Sequence, residues 1–197
     1  MPRYAAFLRA INVGRRGASG TDLCAALVES GFERVESFLA SGNVVFDALN
    51  ADSRELEQRA EASLRSALGF EVETFVRSLE EVGRILADHP FRTLPLASPT
   101  SVQVVFLRSE PTPEQISQLK DFETPTDRLD VLGRELFWLC HTRISDSNVP
   151  WKSVARCLGG PTTTRNLNTL ERLILKYAER PNADEARSQP GRRRKGK

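Results

Sequence analysis

The alternation of apolar and polar positions along the chain predicts two successive rounds of the same elements. In the first round, apolar or alternating runs typical of strands are separated by stretches in which apolar residues recur at helical spacing. Polar caps mark the helix starts after Ser19 and Asp52, and glycine marks their ends. The predicted strands cover residues 4–13, 35–39, 44–47 and 71–77. Their order is β-α-β-β-α-β, the pattern of a ferredoxin-like sandwich.

A second round follows a helix capped by Ser78 and a proline-containing segment, residues 91–100, which we interpret as a linker. The pattern predicts strands over residues 101–107, 127–131 and 134–140 and helices after Thr112 and over residues 151–158. Three successive threonines then favour a short edge strand before a last helix that ends near Arg180. No residue-by-residue repeat relates the two halves in the sequence, so the predicted repetition is architectural.

These patterns predict an α+β protein with two ferredoxin-like (split βαβ) sandwiches, each with an antiparallel sheet, in tandem in one chain. Residues 1–90 form the expected N-terminal subdomain together with a linking helix. Residues 100–181 form the C-terminal subdomain with the final helix. Residues 182–197 contain almost no apolar side chains and are expected to be a disordered basic tail.

The net charge of +2 conceals an uneven distribution. Residues 183–197 contain six basic and two acidic side chains, which leaves 22 basic and 24 acidic side chains in the rest of the chain. The folded part is therefore slightly acidic, and the basic tail predicts no more than weak, non-specific attraction to nucleic acid. No run of about 18 apolar residues is present, so we expect a cytoplasmic protein without membrane contact.

The side chains that most often carry chemistry are few and scattered. Three cysteines without C-x-x-C spacing favour buried thiols over a disulfide framework or a zinc site. His89 ends a helix, where a charged imidazole suits the helix dipole, and His141 ends a strand. We expect no metal and no cofactor. Acidic pairs such as Glu80–Glu81 and Glu55/Glu57 are interpreted as solvated helix faces.

Four stretches together resemble motifs of the domain-of-unknown-function 1697 family of mainly bacterial proteins. They are LRAINVG at residues 8–14, SGNVVF at 41–46, HPF at 89–91 and TTRNLNT at 163–169. The resemblance implies two ferredoxin-like subdomains and no particular activity. Ala10 stands where the motif has glycine, and Leu167 stands where tryptophan is common.

Polar side chains occur at the end of the first strand, in the hairpin at residues 41–43 and at the start of the last helix. The hairpin is explained by its turn alone, whereas the stretch at residues 161–173 carries more polar groups than one helix cap consumes. If the three segments converge, they form a pocket suited to a phosphate- or carboxylate-bearing ligand, with arginine as the charge and amides as orienting groups. The candidate ligand-binding residues are Arg9, Asn12, Ser41, Asn43, Arg165, Asn166 and Asn168. The cap of the last helix is expected at Asn168 or at Thr163 or Thr164.

Two alternatives remain open at the level of sequence. One is a nucleic-acid-associated module, which depends on the analogy of fold and on the basic tail. Trp138 alternates with Phe137 along a strand, which favours two buried faces over an exposed base-stacking platform. The other is an interaction or oligomerisation module that uses exposed sheet edges. The sequence leaves open whether the protein is an enzyme and what its oligomeric state is.

Overall fold

The computed structural model of the chain describes residues 1–11, 17–49 and 52–177. The first half contains β1 (Arg3–Leu8), α1 (Gly20–Glu29), β2 (Glu33–Ser37), β3 (Asn43–Asp47), α2 (Ser53–Leu68), β4 (Thr74–Ser78) and α3 (Leu79–Asp88). The second half contains β5 (Ser101–Leu107), α4 (Pro113–Lys120), β6 (Asp127–Leu132), β7 (Glu135–Cys140), α5 (Trp151–Leu158), β8 (Thr162–Asn166) and α6 (Leu167–Tyr177). A 3-10 turn, Ile144–Asp146, precedes α5.

Each half forms one four-stranded antiparallel sheet. The strand order is β2-β3-β1-β4 in the first sheet and β6-β7-β5-β8 in the second. The order is the same in the two halves, because β5 to β8 take the places of β1 to β4. The predicted α+β fold, with two βαββαβ units in tandem, is therefore confirmed.

Local capping explains where three of the helices begin. In each case a hydroxyl side chain accepts a hydrogen bond from a backbone N–H three residues later, and the acid or amide there bonds back to the backbone of the cap. The pairs are Ser19–Asp22, Ser78–Glu81 and Thr112–Gln115. Gly31 ends α1 with a φ of 83°, a left-handed conformation that suits glycine.

The two sheets pack face to face and form the centre of a four-layer molecule. Helices α1 and α2 cover the outer face of the first sheet, and α4 and α5 cover the outer face of the second. The inner faces share one hydrophobic core, in which the rings of Phe7 and Phe106 stack with centroids 4.1 Å apart. Neither inner face is left open to solvent, which the sequence pattern did not predict.

Helices α3 and α6 pack on each other and contribute to this inter-sheet core. The last helix also contacts the first half directly. Tyr177 packs edge-on against Phe38 and donates a hydrogen bond to Glu36 at 3.3 Å. Lys176 forms an ion pair with the same carboxylate at 3.7 Å. The final helix of the C-terminal subdomain is therefore part of the contact between the halves.

Within the repeated architecture, the residues of β4–α3 and β8–α6 correspond one to one. The equivalent residues occur at constant spacing and occupy equivalent structural positions. They are Thr74 and Thr162, Arg77 and Arg165, Ser78 and Asn166, Leu79 and Leu167, Val82 and Leu170, and Ile85 and Leu173. With Arg84 and Arg172, which also correspond, the stretch has four identities, too few to stand out in one sequence.

One acidic residue that was assigned to a solvated helix face is buried. Glu57 on α2 is fully shielded from solvent and accepts a hydrogen bond from the backbone N–H of Val76 at 3.1 Å. It also forms ion pairs with Arg77 and Arg108, at 3.7 Å and 3.2 Å. Arg54 also lies within 3.8 Å of this carboxylate, and a buried carboxylate with guanidinium partners is compatible with the apolar interior. Within the described ranges, every helix is too short or too polar to span a lipid bilayer.

Candidate functional site

The three polar segments predicted to converge do meet, at the end of β1. Arg165 of β8 crosses from the second half to the first, and only 8% of its surface is exposed. Its guanidinium reaches the end of β1 and the turn that joins β2 to β3. The guanidinium carbon also lies 5.8 Å from the centroid of the Phe7 ring. Arg165 therefore joins the two halves at this junction, which we call the Arg165 junction.

All five N–H groups of Arg165 have acceptors within the protein, since a guanidinium has five donors. The acceptors belong to both halves of the chain. Nε donates to Asn43 Oδ1 at 2.5 Å, Nη1 to Thr163 Oγ1 and Thr164 O at 2.8 Å each, and Nη2 to Leu8 O at 2.8 Å and Gly42 O at 3.1 Å. Only the bond to Thr164 is partly exposed.

The partners of Arg165 are all neutral. Among the described residues, no carboxylate lies within ion-pairing distance of its guanidinium. Burial lowers the pKa of Arg165 to about 10, and the side chain still carries its positive charge at neutral pH. A buried charge is ordinarily paired with an opposite charge, so this junction holds positive charge without a nearby counter-ion.

Ser41 and Asn43 extend the junction toward solvent. Asn43 is buried, and its Nδ2 donates to Ser41 Oγ at 2.9 Å and to Phe38 O at 3.0 Å. Ser41 is exposed, and because its oxygen accepts from Asn43, its own O–H remains able to donate outward. These two predicted residues and Arg165 thus form one hydrogen-bonded chain from the interior to the surface.

Three of the other four predicted residues, Arg9, Asn166 and Asn168, do not join that chain. Arg9 is half exposed and forms an ion pair with Glu73 at the edge of the sheet. Asn166 Oδ1 accepts from the backbone N–H of Asn168 at 2.9 Å, and the Asn168 side chain is exposed. The cap of α6 is therefore Asn166, and the expected cap at Asn168 or the preceding threonines is wrong. Asn12 lies outside the described residues.

Two non-glycine residues beside the Arg165 junction adopt the left-handed backbone conformation. Ala10 has a φ of 56° and Leu39 a φ of 59°. Gly42, whose carbonyl accepts from Arg165, has a φ of 69°, and a Cβ there would lie 3.2 Å from Cβ of Ile11. Left-handed backbone costs a residue with a Cβ about 1–2 kcal/mol. Backbone strain and a buried charge therefore occur together at the place where the polar segments meet, a combination that is frequent at functional sites.

Arg77, which the sequence interpretation missed, forms the counterpart of this junction in the other half. It donates to Leu107 O at 3.2 Å and to Arg134 O at 3.4 Å, as Arg165 does to Leu8 and Gly42. Its Nε donates to Glu135 Oε1 at 2.7 Å, whereas the Nε of Arg165 donates to Asn43 in the equivalent contact. The two junctions are thus related by a pseudo-two-fold axis near the stacked Phe7 and Phe106 rings. The Arg77 junction has carboxylates, and the Arg165 junction has none among the described residues.

The remaining candidate groups show the properties of structural residues. Burial lowers the pKa of His89 and so favours the neutral imidazole, contrary to the charged form expected at the helix end. Burial raises the pKa of the three free thiols, Cys24, Cys140 and Cys157, which makes them poor nucleophiles. In the described parts of the chain, no three His, Cys, Asp or Glu side chains are grouped so that they could hold a metal ion.

The aromatic residues of the sheets are buried on both faces, as the alternation of Phe137 and Trp138 indicated. Phe137 lies in the inter-sheet core, and Trp138 packs under α4 and α5. Leu167, at the position where tryptophan is common in the family motif, is also a core residue with 4% exposure. A base-stacking platform is therefore absent from the described inner faces. Attraction of nucleic acid by the tail stays a prediction, because residues 178–197 lie outside the described residues.

The edge strand β2 carries features that hinder pairing with another chain. It contains charged side chains, and a register shift between Glu33 and Glu36 interrupts its pairing with β3. Such irregularities at an edge disfavour the addition of a further strand. Oligomerisation through sheet edges remains a prediction.

Comparison with known proteins places the chain in a family. The family described as "Protein of unknown function (DUF1697)" matches residues 1–137. The conserved bacterial protein SP0830 from Streptococcus pneumoniae has a similar structure, with a TM-score of 0.68 and 24% sequence identity. The match covers 91% of this chain and 99% of that protein, and it shows the shared fold. No curated protein matches the sequence. The chain belongs to the DUF1697 family.

Proposed function

We propose that the protein binds a small phosphate- or carboxylate-bearing ligand at the Arg165 junction. The observation that carries this proposal is the buried guanidinium whose acceptors are all neutral. A ligand anion would supply the counter-ion that Glu135 supplies to Arg77 in the other half. The proposal assigns no reaction.

The anion is expected to bind at the outer side of Arg165, next to Ser41. The bond from Nη1 to the carbonyl of Thr164 is partly exposed, so an anion can replace that acceptor without breaking the buried bonds. The outward O–H of Ser41 offers a second donor. Charge-assisted hydrogen bonds from arginine are stronger than neutral ones, which favours this exchange.

Isothermal titration calorimetry at constant ionic strength tests the proposal with inorganic phosphate, nucleoside monophosphates and dicarboxylates. Two variants distinguish the effect of the charge at residue 165 from the effect of lost contacts. Arg165→Lys keeps the positive charge, whereas Arg165→Gln removes it. Both variants lose most of the contacts between strands. Far-UV circular dichroism and the melting temperature establish that both variants fold.

We expect the wild-type protein and Arg165→Lys to bind at least one of these anions, and Arg165→Gln to bind it about tenfold or more weakly. Arg77→Gln, whose folding is checked by the same two measurements, serves as the matched control at the related junction and should retain the affinity. Equal affinities of Arg165→Lys and Arg165→Gln would disprove the role of the charge. The proposal also fails if no anion in the panel binds the wild-type protein at concentrations up to about 10 mM.

A further inference from the structure

The Arg77 junction opens into a cleft that lies between the two halves and is distinct from the Arg165 junction. The cleft has a volume of about 380 Å³ and separates α3 from the turn that joins β6 to β7. Its floor is the buried ion pair of Arg77 and Glu135. Small-molecule sites in proteins begin at about 300 Å³, so the cleft has room for a metabolite of small size.

Charges of both signs line the walls of this cleft. Glu81, Arg84 and Asp88 project from successive turns of α3, and Arg134 projects from the opposite turn. Glu81 and Arg134 form an ion pair at 3.6 Å. Asp88 is paired at 3.8 Å with Arg92, and both side chains are more than half exposed, so this pair contributes little.

Arg84 is the charged side chain of the cleft walls that takes part in neither of these ion pairs. It is exposed, and it forms no hydrogen bond or ion pair with the described residues. One turn further along the same face, Asp88 presents an acid, because residues four positions apart on a helix are neighbours. The cleft therefore offers an unpaired cation beside a weakly paired anion on one wall.

The same cleft contains apolar surface that is open to solvent. Leu132, at the β6–β7 turn, is 46% exposed, and Ile85 and Phe137 lie deeper. Lys176 of α6 occupies the position that corresponds to Asp88 of α3. Its ammonium lies 5.7 Å from the Phe38 ring and 4.7 Å from the Tyr177 ring. The chain thus covers one of the two related positions with its own side chains and leaves the other one open.

We infer that this cleft binds a small zwitterion, of the class of a free α-amino acid or a dipeptide. The carboxylate of the ligand pairs with Arg84 and Arg134, which releases Arg134 from its long contact with Glu81. The ammonium group pairs with Asp88, and an apolar side chain covers Leu132 and Ile85. A ligand with only one charge leaves one of these groups unpaired and binds more weakly.

The test is a thermal-shift and calorimetric screen of the full chain with amino acids and dipeptides, together with matched carboxylates and amines that carry one charge. Arg84→Ala and Asp88→Ala alter exposed side chains and should fold normally. Arg172→Ala is the control, because Arg172 is the exposed residue of α6 that corresponds to Arg84.

We expect a zwitterion to bind more tightly than its singly charged analogues. Arg84→Ala and Asp88→Ala should each weaken it about tenfold, whereas Arg172→Ala should leave it unchanged. In a ¹⁵N–¹H spectrum the ligand should shift resonances of residues 81–88 and 132–135, and leave those around Arg165 in place. The inference is wrong if the wild-type protein binds no zwitterion at about 10 mM. It is equally wrong if Arg84→Ala binds as well as the wild type, or if the shifted resonances lie elsewhere.

Discussion

At the scale of single residues, Ala10 is an alanine in a backbone conformation that favours glycine. Its φ of 56° places it in the left-handed region, and the related family motif has glycine at this position. Ala10→Gly should therefore stabilise the protein by up to about 1 kcal/mol, because the removal of Cβ relieves the strain. Urea denaturation followed by circular dichroism measures the change in the free energy of unfolding.

The same substitution at a helical position provides the control for Ala10. Ala87 is an exposed residue of α3, where glycine destabilises a helix by about 1 kcal/mol relative to alanine. Ala87→Gly and Ala10→Gly should thus shift the urea midpoint in opposite directions. If both lower the midpoint, the backbone at Ala10 is not strained.

Asp127 is the centre of a buried hydrogen-bond network in the second half. Its carboxylate accepts from Trp138 Nε1 at 2.7 Å and from the hydroxyls of Ser147, Thr124 and Thr126. Burial alone would raise the pKa of Asp127, but these hydrogen bonds outweigh it and lower the pKa.

Replacement of Asp127 by alanine should destabilise the protein by about 2–3 kcal/mol, because the buried N–H of Trp138 loses its acceptor. The free energy of unfolding from a urea titration tests this. Asp130→Ala, at a partly exposed position of the same strand, is the control and should change it by less than about 0.5 kcal/mol. A loss of the same size for both variants would contradict the assigned role of the network.

At the scale of elements, Arg77 and Arg165 each form hydrogen bonds to strand ends of the opposite half. Arg77 has carboxylate partners, whereas the partners of Arg165 are neutral. Arg77→Met should cost about 3–5 kcal/mol of stability, because Glu135 is left buried without its cation and Glu57 loses one of its cations. Arg165→Met leaves only neutral acceptors unpaired and should cost about 2–3 kcal/mol. Chemical denaturation of both variants decides the order, and the reverse order would contradict the difference between the junctions.

His89, at the end of α3, is expected to make the stability of the protein depend on pH. Burial, and then the charge of Arg92, lower the pKa of His89 below its ordinary value of 6.5, while Glu171 acts in the opposite direction. The unfolded chain therefore binds this proton more readily than the folded chain. The contribution of neutral His89 to the free energy of unfolding is complete above pH 6.5. This contribution is lost as the pH falls below that value.

His89→Gln should remove this part of the pH dependence. The difference in unfolding free energy between the wild type and the variant should change between about pH 7.5 and about pH 5, with the wild type losing more stability. His141→Gln, which alters the exposed second histidine, should preserve the wild-type slope. A wild-type slope in His89→Gln would show that other groups are responsible.

The order of elements was predictable from the sequence, because capping pairs, glycine stops and apolar periodicity act locally. The face-to-face packing of the sheets was not, since a strand with both faces apolar does not reveal what covers each face. Arg77 and Glu57 were missed for a related reason: a charged residue looks the same in sequence whether its partner is water or a distant side chain. Of the candidate site, the convergence of three segments was predicted from the sequence. The five acceptors of Arg165 and the ion pair of Arg9 were not, because these partners are distant in the sequence.

At the scale of the whole molecule, the shared inter-sheet core predicts that the two halves unfold as one cooperative unit. Both tryptophans, Trp138 and Trp151, lie in the second half, so tryptophan fluorescence reports the unfolding of that half alone. Leu64→Ala opens a cavity in the first half, away from the inter-sheet core, and should cost about 3 kcal/mol.

We expect the fluorescence midpoint and the far-UV circular dichroism midpoint of Leu64→Ala to shift together, which is the behaviour of a two-state transition. Leu119→Ala in the second half is the matched control and should also shift both midpoints. A fluorescence midpoint that stays at the wild-type value in Leu64→Ala would mean that the halves unfold independently.

The reciprocal contacts of Arg77 and Arg165 have a consequence for how the two copies of this interface can differ. Each half presents the same patch to the other, which is the arrangement of an isologous dimer, here within one polypeptide. In a homodimer, any substitution at the interface occurs twice. In a single chain each copy of the interface can differ, and Asn43 contacts one arginine where Glu135 contacts the other. One chain can thus hold two chemically different junctions where a homodimer must repeat a single one.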